Sequence, residues 1–94
     1  MAKVVVMPKL GLTMREGVLR RWLVDLGERV EIDAPLLEVE TDKIETEAGS
    51  PAAGVLLRRI EPEVEVPVGE PIGVIGEPGE DVSGVALFDA GASS

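Results

Sequence analysis

The sequence predicts an all-β domain built from two similar halves, and three observations carry the prediction. The apolar content is aliphatic and rich in valine, with Trp22 and Phe88 as the only aromatics, a composition that suits pleated strands better than helices. Eleven glycines and seven prolines in 94 residues supply tight turns at short intervals. The chain also nearly repeats itself. Gly17-Val18-Leu19-Arg20-Arg21-Trp22-Leu23 aligns with Gly54-Val55-Leu56-Leu57-Arg58-Arg59-Ile60, and Val30-Glu31-Ile32-Asp33-Ala34-Pro35-Leu36 aligns with Val66-Pro67-Val68-Gly69-Glu70-Pro71-Ile72. The offsets are 37 (17 to 54) and 36 (30 to 66), so the second copy is one residue shorter. Stacked repeat arrays need about three units or more; two copies in a short β chain predict a pair of halves around a pseudo-twofold axis.

The β-branched run near 3–7 opens the chain as a strand. Residues 18–30 are ambiguous, because Leu19, Trp22, Leu23, Leu26 and Val30 fall at helical spacing. The second copy decides the matter: it carries Pro62, which a helix interior excludes. A strand near 17–23 with Trp22 in the core, a turn at Gly27 and a short extended piece near 29–31 follow. Glu63 stands where the first copy has Gly27, so the second loop departs from the first. Residues 36–41 and 44–48 read as a hairpin with Asp42-Lys43 at its tip. A two-residue loop pairs Thr41 with Ile44, Glu40 with Glu45, Val39 with Thr46, Glu38 with Glu47 and Leu37 with Ala48. Alternation turns Leu37, Val39, Thr41, Ile44, Thr46 and Ala48 inward and leaves four carboxylates on a wet face. Asp-Lys is a poor pair for a primed hairpin turn, which favours Asn-Gly or Asp-Gly. Strands near 54–60 and 71–75, with an extended piece near 65–67, complete the second half. The domain is expected to span 1–79, and 80–94 to be a flexible tail or the start of an interdomain linker.

Composition removes several functions. A net charge of −9 opposes binding to nucleic acid or an anionic membrane, which demand clustered Lys and Arg. With no Cys and no His, the chain has no thiol or imidazole for covalent or general-base chemistry, and no cysteine metal site. Neither catalytic nor metal-ligating residues are expected. A soluble, cytoplasmic, monomeric domain is the expectation. Lys43, at the hairpin tip, remains as a place to hang chemistry the side chains lack.

The sequence resembles the lipoyl domains of 2-oxo acid dehydrogenase complexes, members of the biotinyl/lipoyl carrier family. The resemblance covers about residues 2–79 and rests on Met7-Pro8-Lys9-Leu10-Gly11-Leu12-Thr13-Met14-Arg15-Glu16-Gly17, on Trp22, on Leu36-Leu37-Glu38-Val39-Glu40-Thr41-Asp42-Lys43, on Pro51-Ala52-Ala53-Gly54 and on Val68-Gly69-Glu70-Pro71-Ile72. It implies a flattened β-barrel, or barrel-sandwich hybrid, of two four-stranded antiparallel sheets with internal pseudo-twofold symmetry. It also implies lipoic acid in amide linkage to Lys43, as N6-lipoyllysine. Glu40, Thr41, Asp42 and Ile44 would flank the lysine for recognition by a lipoate ligase or lipoyl transferase. Lys9, Leu10, Gly11, Leu12, Thr13, Met14, Arg15 and Glu16 would form the loop that a partner reads.

By the same resemblance the domain is a carrier rather than an enzyme, belonging to a dihydrolipoamide acyltransferase if the parent chain is longer. A thiamine diphosphate-dependent 2-oxo acid decarboxylase would reductively acylate the lipoyl-lysine. The catalytic core of the acyltransferase would move the acyl group to coenzyme A, and dihydrolipoamide dehydrogenase would reoxidise the arm. Two other readings stay open: a biotin carboxyl carrier of the same fold, whose lysine is flanked by Met on both sides, and an unmodified structural module. A glycine-cleavage carrier needs helical segments for which 94 residues leave no room.

Overall fold

The computed structural model describes residues 2–89; Met1 and the expected tail residues 90–94 lie outside them. Eight strands form: β1 (Lys3–Val6), β2 (Glu16–Trp22), β3 (Arg29–Val30), β4 (Pro35–Glu40), β5 (Glu45–Gly49), β6 (Gly54–Arg59), β7 (Val64–Pro67) and β8 (Pro71–Gly76). No helix occurs among the described residues. The helical spacing over 18–30 comes instead from a strand followed by a turn in which Gly27 takes φ 86°.

Two four-stranded antiparallel sheets result, ordered β1-β8-β6-β3 and β5-β4-β2-β7. Exchanging β1 with β5, β8 with β4, β6 with β2 and β3 with β7 turns one order into the other, which is the pseudo-twofold axis that the repeat predicts. Each sheet draws strands from both halves, so neither half is a folding unit alone. The axis also holds at the level of single bonds. Leu23 donates its N–H to Leu36 O (2.8 Å), and Ile60 donates to Ile72 O (2.9 Å). Gly27 donates to Leu56 O (2.8 Å), and Glu63 donates reciprocally to Leu19 O (2.5 Å). Both central strands carry an irregularity at the same place, between Leu19 and Arg21 and between Leu56 and Arg58.

The inner faces of the sheets make one core, with Met7, Leu19, Leu36, Val39, Leu56, Val66, Ile72 and Ile75 fully buried. The two layers are thin, 20 Å along the shortest dimension, which is the flattened barrel-sandwich expected. Trp22 is partly buried against this core. Its indole N–H donates to Ile60 O (2.9 Å), and its ring occupies the space above Gly73, where a Cβ would lie 2.9 Å from Cη2.

Glu63 explains how the second loop works without a glycine. It adopts φ 64°, the left-handed conformation that Gly27 holds in the first loop. A side chain in that region costs about 1–2 kcal/mol. The reciprocal bond to Leu19 O fixes the backbone there nonetheless. Replacing Glu63 with Gly should therefore raise stability by about 1 kcal/mol, and Gly27→Ala should lower it by a similar amount, as urea midpoints would show.

Candidate functional site

The hairpin joining β4 to β5 has the register read from the sequence. Glu40 faces Glu45, Val39 faces Thr46, Glu38 faces Glu47 and Leu37 faces Ala48. The Thr41 N–H donates to Ile44 O (2.7 Å). The rest of the turn is built on the Thr41 side chain: its Oγ1 accepts the N–H groups of Lys43 (3.2 Å) and Ile44 (3.0 Å) and lies 3.2 Å from Ile44 O. Among the described residues, the non-glycine positions with positive φ are Asp33 and Glu63. Neither Asp42 nor Lys43 is left-handed, so the turn is not a primed one. A threonine hydroxyl standing in as backbone acceptor is what lets Asp-Lys occupy a two-residue tip.

Asp42 and Lys43 are exposed. One expectation is corrected here: Ile44 does not pack inward but is 49% exposed. Simple alternation assumes that the sheet continues past Glu40, and β4 ends there. Ile44 turns instead to an open cleft beside the tip.

That cleft, of about 960 Å³, lies between the tip and the loop preceding β2. Of the residues the resemblance singles out, Glu40, Thr41, Asp42, Lys43 and Ile44 line one wall, and Leu10, Gly11, Leu12, Thr13, Met14, Arg15 and Glu16 line the other. Lys9 is exposed but is not part of the lining. Leu10 and Met14 pack against the core and anchor the loop. The Leu10 N–H points to Met14 Sδ at 3.1 Å, and Met14 donates its N–H to Gly11 O at 3.3 Å. Gly17 makes the anchorage possible, since a Cβ there would stand 2.8 Å from Met14 Cε and 3.0 Å from Val39 Cγ1. Between these anchors, Leu12 is 95% exposed.

The sequence reading missed Arg20 and Glu65, which also line the cleft. The irregularity in β2 makes Arg20 an extra residue, with Leu19 opposite Val39 and Arg21 opposite Glu38. Arg20 and Arg21 therefore both reach the outer carboxylates. Arg20 Nε lies 3.3 Å from Glu40 and Arg21 Nη2 3.5 Å from Glu38. Each exposed pair is worth about 0–1 kcal/mol, enough to offset the like-charge pairs across β4 and β5. The signal was present in the sequence: adjacent arginines within a strand cannot both face water unless the strand bulges.

Comparison with known proteins fits this geometry. The biotin/lipoyl family model, described as biotin-requiring enzyme, matches residues 3–75. The chain belongs to the biotin/lipoyl family. Domains of this family are carriers, presenting a bound group to catalysts located elsewhere. Among relatives, the dihydrolipoyllysine-residue acetyltransferase component of the pyruvate dehydrogenase complex of Corynebacterium glutamicum is 48% identical over 81 residues. That match takes in 85% of this chain and 12% of the relative, so the chain spans about an eighth of that protein's length. The solution structure of the lipoyl domain of the 2-oxoglutarate dehydrogenase complex from Azotobacter vinelandii superposes with TM-score 0.62 at 28% identity, covering 79% of this chain and 95% of that one. Kluyveromyces lactis urea carboxylase shares the fold, with TM-score 0.67 at 18% identity over 81% of this chain and 6% of that one.

In this biotin/lipoyl domain the described residues include no cluster of three or more acidic, His or Cys side chains able to hold a metal. Besides the backbone bond from the Thr41 N–H to Ile44 O, the tip is held by the Thr41 hydroxyl. Thr41→Val, which keeps the shape and removes the oxygen, should leave the strands intact while the Lys43 and Ile44 amides exchange about fivefold faster or more, the factor expected when a hydrogen bond worth about 1 kcal/mol is lost. Amide exchange followed by NMR reads this directly.

Proposed function

We propose that Lys43 carries lipoic acid in amide linkage and that the domain is the swinging-arm acyl and electron carrier of a 2-oxo acid dehydrogenase complex. The observation that carries this reading is the presentation of Lys43: exposed, at the apex of a hairpin whose turn is fixed by Thr41, beside a cleft walled by the loop of residues 10–16. The chain has two other lysines. Lys3 lies on edge strand β1, and Lys9 stands outside the cleft. Lys43 takes part in none of the four ion pairs among the described residues, so acylating its amine breaks no such contact.

Bound at this position, lipoic acid would supply a dithiolane for acyl and two-electron transfer, chemistry that a chain without Cys or His does not possess. The protein's residues present the arm. Thr41 holds the backbone at its root, Asp42 and Ile44 flank it, and the rigid two-sheet frame keeps the tip clear of the core. Tethering then raises the effective concentration of the carried group at each active site. Asp42 and Ile44, rather than methionines, beside the lysine favour lipoate over biotin, as does the likeness to acetyltransferase components and to a lipoyl domain. The partners that follow are a 2-oxo acid decarboxylase, an acyltransferase core, dihydrolipoamide dehydrogenase and the attaching ligase or transferase.

Coexpression with a lipoate ligase and, separately, with a biotin ligase tests the proposal by intact mass and peptide mapping. One lipoyl group should appear on Lys43 and none on Lys3 or Lys9. Lys43→Ala should accept no group while keeping the urea midpoint of the unsubstituted domain, because the tip residue buries nothing. Biotin added in preference to lipoate would sink the reading.

A further inference from the structure

The pseudo-twofold axis relates not only the inner faces of the two sheets but also the outer ones, and there the halves differ in chemistry. On the outer face of the β5-β4-β2-β7 sheet one row across the strands reads Glu47, Glu38, Arg21. The equivalent row on the other sheet reads Val4, Val74, Arg58. The salt-bridged pair Arg20 and Glu40 corresponds to Leu57 and Gly76, 37 and 36 residues later. Glu47, Glu38 and Glu40 thus give way to Val4, Val74 and Gly76 on this face, while Arg21 keeps an arginine, Arg58, as its counterpart.

The chain beyond β8 covers part of this face, over β8 and β6, while Val4 on edge strand β1 stays 37% exposed. Val74 is completely buried and Val82 is 8% exposed, yet both stand outside the main core cluster. Arg58, whose counterpart Arg21 pairs with Glu38, donates from Nη1 to two backbone carbonyls of the following segment, Val82 O (2.9 Å) and Val85 O (2.6 Å). The Val85 N–H closes a turn onto Val82 O (3.1 Å), and the Phe88 N–H donates to Pro71 O on β8 (2.6 Å). The Phe88 side chain packs against the core. At the start of the segment, Asp81 accepts the Ser83 N–H (3.1 Å) and hydroxyl (2.8 Å), which hold its carboxyl below the usual carboxylate range.

We infer that residues 80–89 are a latch, clamped by Arg58 over the apolar outer face of the β1-β8-β6-β3 sheet, so that the folded unit extends to Asp89 rather than ending at Gly79. Ties from the latch back to the sheet include the Arg58 guanidinium, the Phe88 N–H on Pro71 O and the burial of Val82 and Phe88. A segment at the edge of the fold, tied from one side in this way, opens without global unfolding. Released, the ten residues from 80 to 89 add up to about 35 Å of reach to whatever the chain is tethered through. This holds whether or not Lys43 is modified, since the latch lies on the sheet opposite the one carrying the hairpin.

Amide exchange on the 94-residue protein tests the inference, with the β4 amides as internal reference. The Val85 and Phe88 amides should exchange more slowly than in an unfolded peptide but faster than those of β4. In Arg58→Met, and independently in Val82→Asp, their protection should fall about tenfold or more, the factor corresponding to about 1.4 kcal/mol of lost charged hydrogen bonding or burial. The β4 amides should not change. Unfolded-peptide rates at Val85 and Phe88 in the unsubstituted protein, unchanged protection in both variants, or an equal loss throughout β4 would each overturn it.

Discussion

The interior shared by the two sheets is the constraint from which the remaining structure follows. Each sheet presents one apolar face, and each takes strands from both halves of the chain. Leu19 and Val39 from the first half therefore meet Leu56 and Ile75 from the second. Burying a side chain of this size is worth about 1.5–3 kcal/mol, against about 0–1 kcal/mol for each exposed ion pair on the outer faces. Apolar burial sets the fold, and the charges decorate it. The reciprocal bonds from the loops at Gly27 and Glu63 to Leu56 O and Leu19 O tie the halves together where the two central strands bulge.

Given that frame, function appears where the symmetry is broken. The end of β4 continues into β5 through Thr41 to Ile44, making a tip that stands in water. The equivalent end of β8 runs instead through Gly79, in the left-handed conformation at φ 82°, into the segment that folds back on Arg58. One copy of a duplicated unit thus offers a lysine and the other closes its own surface. The outer residues follow suit, acidic around the tip and apolar under the returning chain.

Much of this was legible in the sequence because two periodicities agreed. A two-residue loop at Asp42-Lys43 gave the hairpin register residue for residue, and the repeat rejected a helix over 18–30 through Pro62. What stayed hidden depended on a third dimension. The inward place assigned to Ile44 assumed a sheet that stops one residue earlier. The Thr41 hydroxyl bonds replace a turn chemistry that the sequence rules expect from Asn or Gly. Arg20 reaches the cleft only because β2 bulges, and Glu65 only because β7 pairs with β2. The segment 80–89 lacks any strand period, and its spaced apolar residues, Val82, Val85 and Phe88, gain meaning only against an outer face that no local pattern reveals.

On the proposed function, the folded frame, rather than the local sequence around the lysine, presents Lys43 for modification. Lipoate ligase acting on equal concentrations of the intact domain and of a peptide spanning residues 35–49 separates the two. Efficient lipoylation of Lys43 is expected in the domain and little or none in the peptide, whose turn has lost the sheet that holds it. Equal rates on the two substrates would show that the local sequence suffices and that the frame is not needed.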